Sequence, residues 1–198
     1  MTVRANKPAF NIREKIKSLD YSHVPYEKMP PGSVIQVYSK VSTNEFGGTV
    51  AGGSGFADPG EGYLFETLSF CPKFNDSKIL LQSSNVTIYE NANQGDSFYM
   101  TAFVVDSGSS VVHANVQGGL GYQIFDENFN GQVLSFNNIF DASAFNGTTS
   151  DIHIRLGPVS QSSHTAVYIN RDSYAASYAN NRNTVTFTIM EIKQWDIH

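Results

Sequence analysis

From Gly32 onward, the hydrophobic pattern of this 198-residue chain has a period of two, and that period constrains the fold more than any other feature. The first strand-like segment, residues 34–41, alternates apolar and more polar positions: Ile35, Val37 and Val41 on one face, Gln36, Tyr38 and Lys40 on the other. Such alternation is typical of a half-buried β-strand. The sequence therefore predicts a β domain that begins at residue 32.

Strand-like segments then follow at short intervals, at 63–70, 78–89, 97–105, 121–125, 132–136, 150–157, 164–170 and 184–192. Turn-forming residues separate them, such as Asn75-Asp76-Ser77 and Gly118-Gly119. No long helical pattern and no internal repeat interrupts the series. We predict an all-β fold, an antiparallel β-sandwich or jelly roll of about 8–10 strands.

Residues 44–62 contain seven glycines and are expected to form a long loop, either mobile or functional. A phosphate-binding loop would need Gly-Lys-Ser/Thr at the start of a helix, and this tripeptide does not occur in the sequence.

Residues 1–31 are predicted to form an arm in front of the β domain, which spans 32–198. Ile12, Ile16 and Leu19 recur at helical spacing, so residues 12–19 are expected to form an amphipathic helix of two turns. A helix this short is marginal alone and needs a surface, on its own domain, another subunit or a different protein. The following HVPYEKMPPG, rich in proline, is expected to be an extended linker.

The charge is uneven along the chain. Residues 1–30 carry a formal charge of +3 and residues 31–198 a charge of −8. An acidic β domain is a poor nucleic-acid binder, and no nucleic acid is expected as a partner. The basic arm could contact nucleic acid, but an acidic protein surface is the favoured partner for it. No apolar run approaches the ~18 residues of a membrane span, and the polar start MTVRANKPAFNIREK lacks the apolar core of a signal peptide. We expect a protein that is made in a cytoplasm, stays there and does not insert into a membrane.

No catalytic set can be assembled, and we expect neither enzymatic activity nor a cofactor or metal. The histidines, none spaced as metal ligands, are His23, His113, His153, His164 and His198. His153 should point away from its neighbours Ile152 and Ile154. The carboxylate pairs Asp58 with Glu61 and Asp126 with Glu127 keep polysaccharide hydrolysis as a minor alternative. The single Cys71 is expected to be a small buried residue at a strand end.

One segment has the composition of a recognition loop. Residues 171–183 combine aromatic and short hydrogen-bonding side chains, and the candidate receptor-binding residues are Arg171, Tyr174, Tyr178, Asn180 and Asn181. Such a group can stack on sugar rings. A solvated loop without a ligand is the alternative.

Two strands lack a face fit for water. Residues 97–105 are apolar on both sides, and the final strand has a second face that is only weakly polar. Because one face closes the sandwich and the other needs cover, we predict a homo-oligomer.

Three motifs and the arm resemble fibre-like virion proteins of tailed bacteriophages, notably those of marine bacteria and cyanobacteria. They are PPGSVIQVYS (30–39), LSFCPKFNDSKILLQSS (68–84), NTVTFTIMEIK (183–193) and, in the arm, KPAFNIREKIKSLD (7–20). The resemblance spans nearly the whole chain, in the order of the family.

The resemblance implies a non-enzymatic virion structural protein, a homotrimer with a jelly-roll knob. The arm would attach to other virion proteins through residues 1–30, with Phe10, Ile12, Arg13, Ile16 and Leu19 as anchoring residues, and the knob would bind a host-surface glycan. Fibre proteins usually have long shafts, whereas here the arm reaches the β domain through some ten residues. A short fibre, a neck or baseplate appendage, and a capsid decoration protein without receptor binding all stay open.

Overall fold

The computed structural model describes residues 25–52, 60–90, 98–106, 112–121, 130–145, 149–158, 163–170 and 184–194. Within them, twelve strands form three antiparallel four-stranded sheets, and no α-helix occurs. The all-β prediction is confirmed. The helix predicted at 12–19 lies outside the described residues.

The strands are β1 (Val34–Ser42), β2 (Phe46–Val50), β3 (Tyr63–Phe70), β4 (Lys78–Ser83), β5 (Val86–Glu90), β6 (Phe98–Asp106), β7 (Val112–Gly121), β8 (Asn130–Leu134), β9 (Asn137–Asp141), β10 (Ser150–Pro158), β11 (His164–Ile169) and β12 (Val185–Ile192). Short 3-10 helices cover Tyr26–Lys28 and Ala142–Phe145. The first sheet has the order β1-β12-β4-β9, the second β3-β10-β6-β7 and the third β2-β11-β5-β8.

This strand order is that of a jelly roll. The second and third sheets have the same order once each strand is matched with its neighbour along the chain: β2 with β3, β5 with β6, β7 with β8, and β10 with β11. If each matched pair is counted as one long strand, the chain has eight strands, numbered 1 to 8 in chain order. The first sheet then has the order 1-8-3-6, and the second and third sheets together have the order 2-7-4-5. This is the double Greek key of a jelly roll. The structure has more strands than the 8–10 expected because the strands of one sheet are each divided in two.

All three sheets contribute to one hydrophobic core. In β12, Val185, Phe187 and Ile189 are fully buried, as their alternation predicts. Each such side chain stabilises the fold by about 1.5–3 kcal/mol relative to an exposed position. The core therefore fixes which face of each strand points inward.

Several predicted element boundaries were wrong. Residues 78–89, expected as one strand, form β4 and β5 in different sheets, and the supposed turn at Gly118-Gly119 lies inside β7. β9 was missed. Part of the expected glycine-rich loop is strand β2, which pairs with β11; within it the Phe46 ring lies 3.3 Å from where a Cβ on Gly48 would be. Tertiary pairing here overrides the low strand propensity of glycine.

The linker prediction was also wrong for the residues that the structure describes. Instead of an extended chain, Tyr26–Lys28 is a 3-10 helix, and a turn follows in which the Ser33 amide donates to the Pro30 carbonyl (3.1 Å). Gly32 takes the positive φ of 81° that this turn requires. Its amide donates to the Lys193 carbonyl (2.9 Å), and the Lys193 amide donates back to Ser33 (2.9 Å). Residues 25–33 are therefore bound to the β domain.

Strand β6 changes the argument for a second copy. Every residue from 98 to 105 is buried within the single chain, so the chain itself covers both faces of this strand. The homo-oligomer stays a prediction, and it cannot rest on β6.

Candidate functional site

The first sheet presents one face to solvent. On it, Val37, Val41 and Ile139 are 59%, 61% and 57% exposed. The sequence correctly placed Val37 and Val41 on one face of β1, but this apolar face points outward. Tyr38, on the other face, packs against the core instead.

The strand registers align four apolar side chains across this face. Val37 pairs with Met190, Met190 with Leu80, and Leu80 with Ile139, so the row runs from one edge of the sheet to the other. Directly paired residues of antiparallel strands share a face. We call the row of Val37, Met190, Leu80 and Ile139 the apolar row.

A polar row runs beside the apolar row. It consists of Ser39, Thr188, Gln82 and Asn137, again paired in register. The Gln82 side-chain amide donates to Asn137 Oδ1 (3.3 Å). Part of this row lines an open groove of about 410 Å³, together with residues at the adjacent strand ends; the lining is Gln82, Ser83, Ser84, Ser135, Phe136, Asn137, Thr186 and Thr188.

Charge is almost absent from this face. Among the outward positions of β1, β12, β4 and β9, Lys78 and Asp141 carry charge, and they pair with each other across the two strands. We call the whole surface, formed by the outward residues of these four strands, the outer face. It has hydrogen-bonding capacity and apolar area, but no net charge.

A second feature lies at one end of the first sheet, where the N-terminal segment joins the domain. The Lys193 ammonium donates to the carbonyl oxygens of Tyr26 (2.7 Å), Glu27 (3.3 Å) and Met29 (2.8 Å). It also lies 4.9 Å from the centre of the Tyr26 ring, a cation–π distance. Lys193 is buried, and its contacts fasten the 3-10 helix Tyr26–Lys28 to the end of the first sheet.

Glu191 organises the same end of the sheet. Its buried carboxylate accepts hydrogen bonds from the backbone amides of Lys73 (2.9 Å) and Phe74 (2.9 Å), the Ser77 hydroxyl (2.8 Å) and the Gln36 amide (2.7 Å). Buried charges persist where hydrogen bonds of this kind replace water. The alternation of β12 places Glu191 and Lys193 on its apolar side, a sequence signal that we did not use.

Tyr26 is fixed by this environment. Its ring stacks on Phe74 with centroids 3.9 Å apart. Burial, followed by the charge and the hydrogen bond of Asp76, raises the pKa of Tyr26 to about 12. The phenol therefore stays protonated at neutral pH.

A second buried carboxylate lies between β1 and β3. Lys40 donates to Glu66 Oε1 (2.8 Å), and the Asn44 side-chain amide donates to Glu66 Oε2 (3.1 Å). Burial alone raises the pKa of Glu66, but hydrogen bonds from Lys40, Ser42 and the Thr67 amide outweigh it, so the pKa lies below its ordinary value.

The predicted site residues lie outside the described residues. This holds for the anchoring set, Phe10, Ile12, Arg13, Ile16 and Leu19, and for the receptor-binding set, Arg171, Tyr174, Tyr178, Asn180 and Asn181. Asp58, Asp126 and Glu127 also lie outside, so neither carboxylate pair is described as a pair. These predictions stand as predictions.

The structure places some of the other singled-out residues. His153 is half-buried and lies opposite the fully buried Ile152 and Ile154, as predicted; burial, followed by the nearby Arg155, lowers its pKa. Cys71 follows strand β3 as expected, but it is exposed rather than buried; its carbonyl accepts a hydrogen bond from the Gln36 side-chain amide (2.8 Å). Within the described ranges, no three His, Cys, Asp or Glu residues are grouped to hold a metal ion. In the same ranges, no helix has the length and apolar character to cross a membrane.

Comparison with known proteins gave only distant likenesses. No protein-family model matches the chain, and no curated protein does. Among solved structures it is similar to "Structure of infectious bursal disease virus Gx strain" (11% identity, TM-score 0.42, covering 81% of this chain and 37% of that one). It is similar also to the Gt strain structure (10%, 0.41, 84% and 40%) and to "Crystal structure of infectious bursal disease virus VP2 subviral particle" (10%, 0.39, 80% and 38%).

The chain spans about two fifths of the length of these viral structures, as the coverages of 37–40% state. Because the TM-scores are below 0.5 and the identities are near 10%, we base neither family membership nor function on this likeness.

Proposed function

We propose that this chain is a non-enzymatic structural protein of a bacteriophage virion. In this proposal it is a short fibre-like appendage, held in the particle by its N-terminal arm and presenting its jelly-roll domain to a host-surface glycan. Jelly rolls are common in capsid and lectin domains, which is compatible with either half of this role.

The observation that carries the proposal is the convergence of the three family-like motifs on Glu191. Gln36 comes from the first motif, Lys73, Phe74 and Ser77 from the second, and Glu191 itself from the third. The strands of these motifs, β1, β4 and β12, are neighbours in the first sheet. A resemblance scattered along the sequence is thus gathered into one structural unit, as expected if it reflects a shared architecture.

The residues that join the predicted arm to the β domain support an anchoring role. Lys193, in the third motif, holds the carbonyls of Tyr26, Glu27 and Met29. Residues 26–29 are therefore held in a fixed position on the β domain. An appendage needs such a fixed junction if its domain is to keep a defined position relative to its attachment site.

A decoration protein without receptor binding is the second candidate. The outer face favours it, because an apolar row left open to solvent is typical of a surface that other subunits cover. Loss of host adsorption on changing Tyr174 and Tyr178 to Ala supports the appendage, and unchanged adsorption supports the decoration protein.

Incorporation of full-length variants into particles tests the anchoring proposal. Tagged chain is supplied during infection by phage lacking the gene, and gradient-purified particles are probed for the tag. Ile16→Asp places a charge in the apolar stripe of the arm and should lower incorporation at least tenfold. Ser18→Asp, which adds the same charge outside that stripe, should incorporate like the natural chain. Equal incorporation of both variants contradicts anchoring through the stripe.

A further inference from the structure

We propose that the outer face is a self-complementary interface, on which the same face of a second copy packs about a two-fold axis. This deepens the proposed function, on which it rests, by assigning the surface through which the structural protein assembles. No part of the argument uses β6, whose two faces are already covered.

The apolar row gives the first reason. Val37 and Ile139, at opposite edges of the sheet, are 59% and 57% exposed, with Met190 and Leu80 between them in register. A row that crosses all four strands is contiguous apolar surface rather than scattered exposure, and such patches mark interaction sites. Sheets that pack face to face interdigitate rows of this kind.

The polar row favours a second copy over other partners. Ser39, Thr188, Gln82 and Asn137 carry hydroxyls and amides, and each of these groups both donates and accepts hydrogen bonds. A copy of the row therefore offers both donors and acceptors to the facing row. When the two-fold axis runs along the strands, each row meets its own copy in the other subunit, so that polar groups face polar groups and apolar side chains face apolar ones.

The neutral charge of the outer face also favours a second copy. The chain carries a formal net charge of −5, yet Lys78 and Asp141, the charged residues on the outer face, neutralise each other. Two such faces therefore meet without bringing like charges together at the contact. A strongly basic or acidic partner finds no complement on this surface.

The area fits a second copy better than the arm. Four strands spaced ~4.8 Å apart, with ~25 Å of each facing outward, give a face of about 480 Å², or nearly 1,000 Å² for a pair. This lies at the lower limit of roughly 1,000 Å² expected of a specific interface. A two-turn helix over residues 12–19 is about 12 Å long and 10 Å wide, and would cover only about a quarter of the face.

Sedimentation equilibrium of the full-length chain tests the proposal. The natural chain should have the mass of two copies at micromolar concentration. Val37→Asp should weaken association at least tenfold, because it places a charge in the apolar row. Val133→Asp is the matched control: Val133 is a similarly exposed valine (56%) on β8, outside the outer face, and its substitution should leave the dimer unchanged.

Circular dichroism confirms that each variant is folded, and Val37→Thr, which keeps the β-branched shape, gives a milder second test. A monomeric natural chain overturns the proposal, as does equal dissociation by the two aspartate variants. A trimer, which the family resemblance implies and from which this proposal departs, overturns the two-fold packing. None of these results in solution would show that the chain is missing from particles. Failure of this interface is therefore distinguishable from failure of the proposed function.

Discussion

Glu191 in β12 and Lys193 directly after it are charged, yet both lie on the side of the strand that faces the core, and both are buried. Each is compensated by several hydrogen bonds, Glu191 from the β3–β4 connection and Lys193 to the 3-10 helix. Removing one partner of such a contact costs more than the bond itself, because the other partner is left unsatisfied. The sequence alternation indicates their inward position but not the backbone groups that meet them, since these come from distant segments.

Replacing Lys193 with Met should lower the free energy of unfolding by about 2–3 kcal/mol, since the hydrogen bonds of a charged group to three carbonyls are lost. Guanidinium denaturation measures the change. The control is Lys78→Met, which removes the same group from the partly exposed pair with Asp141 and should cost at most about 1 kcal/mol. Equal losses in the two variants contradict the role of Lys193 in fastening residues 25–33.

Glu66 predicts a pH dependence. Its pKa in the fold is lower than the ordinary value of 4.5, so its ionised form stabilises the fold above that value. This stabilisation is lost as the pH falls below the ordinary value and through the lowered one. Unfolding free energies measured from pH 6 to pH 3 should fall less steeply for Glu66→Gln than for the natural chain. The exposed Glu45→Gln variant should follow the natural chain, and a Glu66→Gln profile parallel to both is the contrary outcome.

At the scale of elements, the strand-like segments of the sequence predicted β1, β3, β6, β10, β11 and β12; β1 and β12 alternate, whereas β6 is apolar on both faces. The failures have identifiable causes. β2 contains Gly47 and Gly48, and β7 contains Gly118 and Gly119, so both read as loop or turn by propensity. Residues 78–89 read as one strand because nothing local shows that β4 and β5 enter different sheets. Pairing with distant strands decides each of these cases.

Hydrogen exchange should distinguish these elements. The amides of β6, which is buried on both faces and lies between β10 and β7, are expected to be among the most protected in the chain. The amides of β2, a short edge strand with two glycines, should exchange at least tenfold faster. Protection of β2 equal to that of β6 contradicts this ranking.

At the scale of the whole molecule, period-two patterning predicted the all-β class and the jelly roll. It did not predict that one sheet has its strands divided in two. Nor did it predict which face of β1 points outward: Val37 and Val41 look like core residues until the register with β12 is known. The outer face could not be predicted from the sequence because it is made from four strands that are far apart along the chain.

Quantitative mass spectrometry of gradient-purified phage particles whose genome encodes this chain tests the central claim most directly. If the chain is the virion structural protein that we propose, it should be present in a constant number of copies per particle, and that number should not fall on repeated purification. A chain that is abundant in the infected-cell lysate but absent from the purified particles would contradict the account.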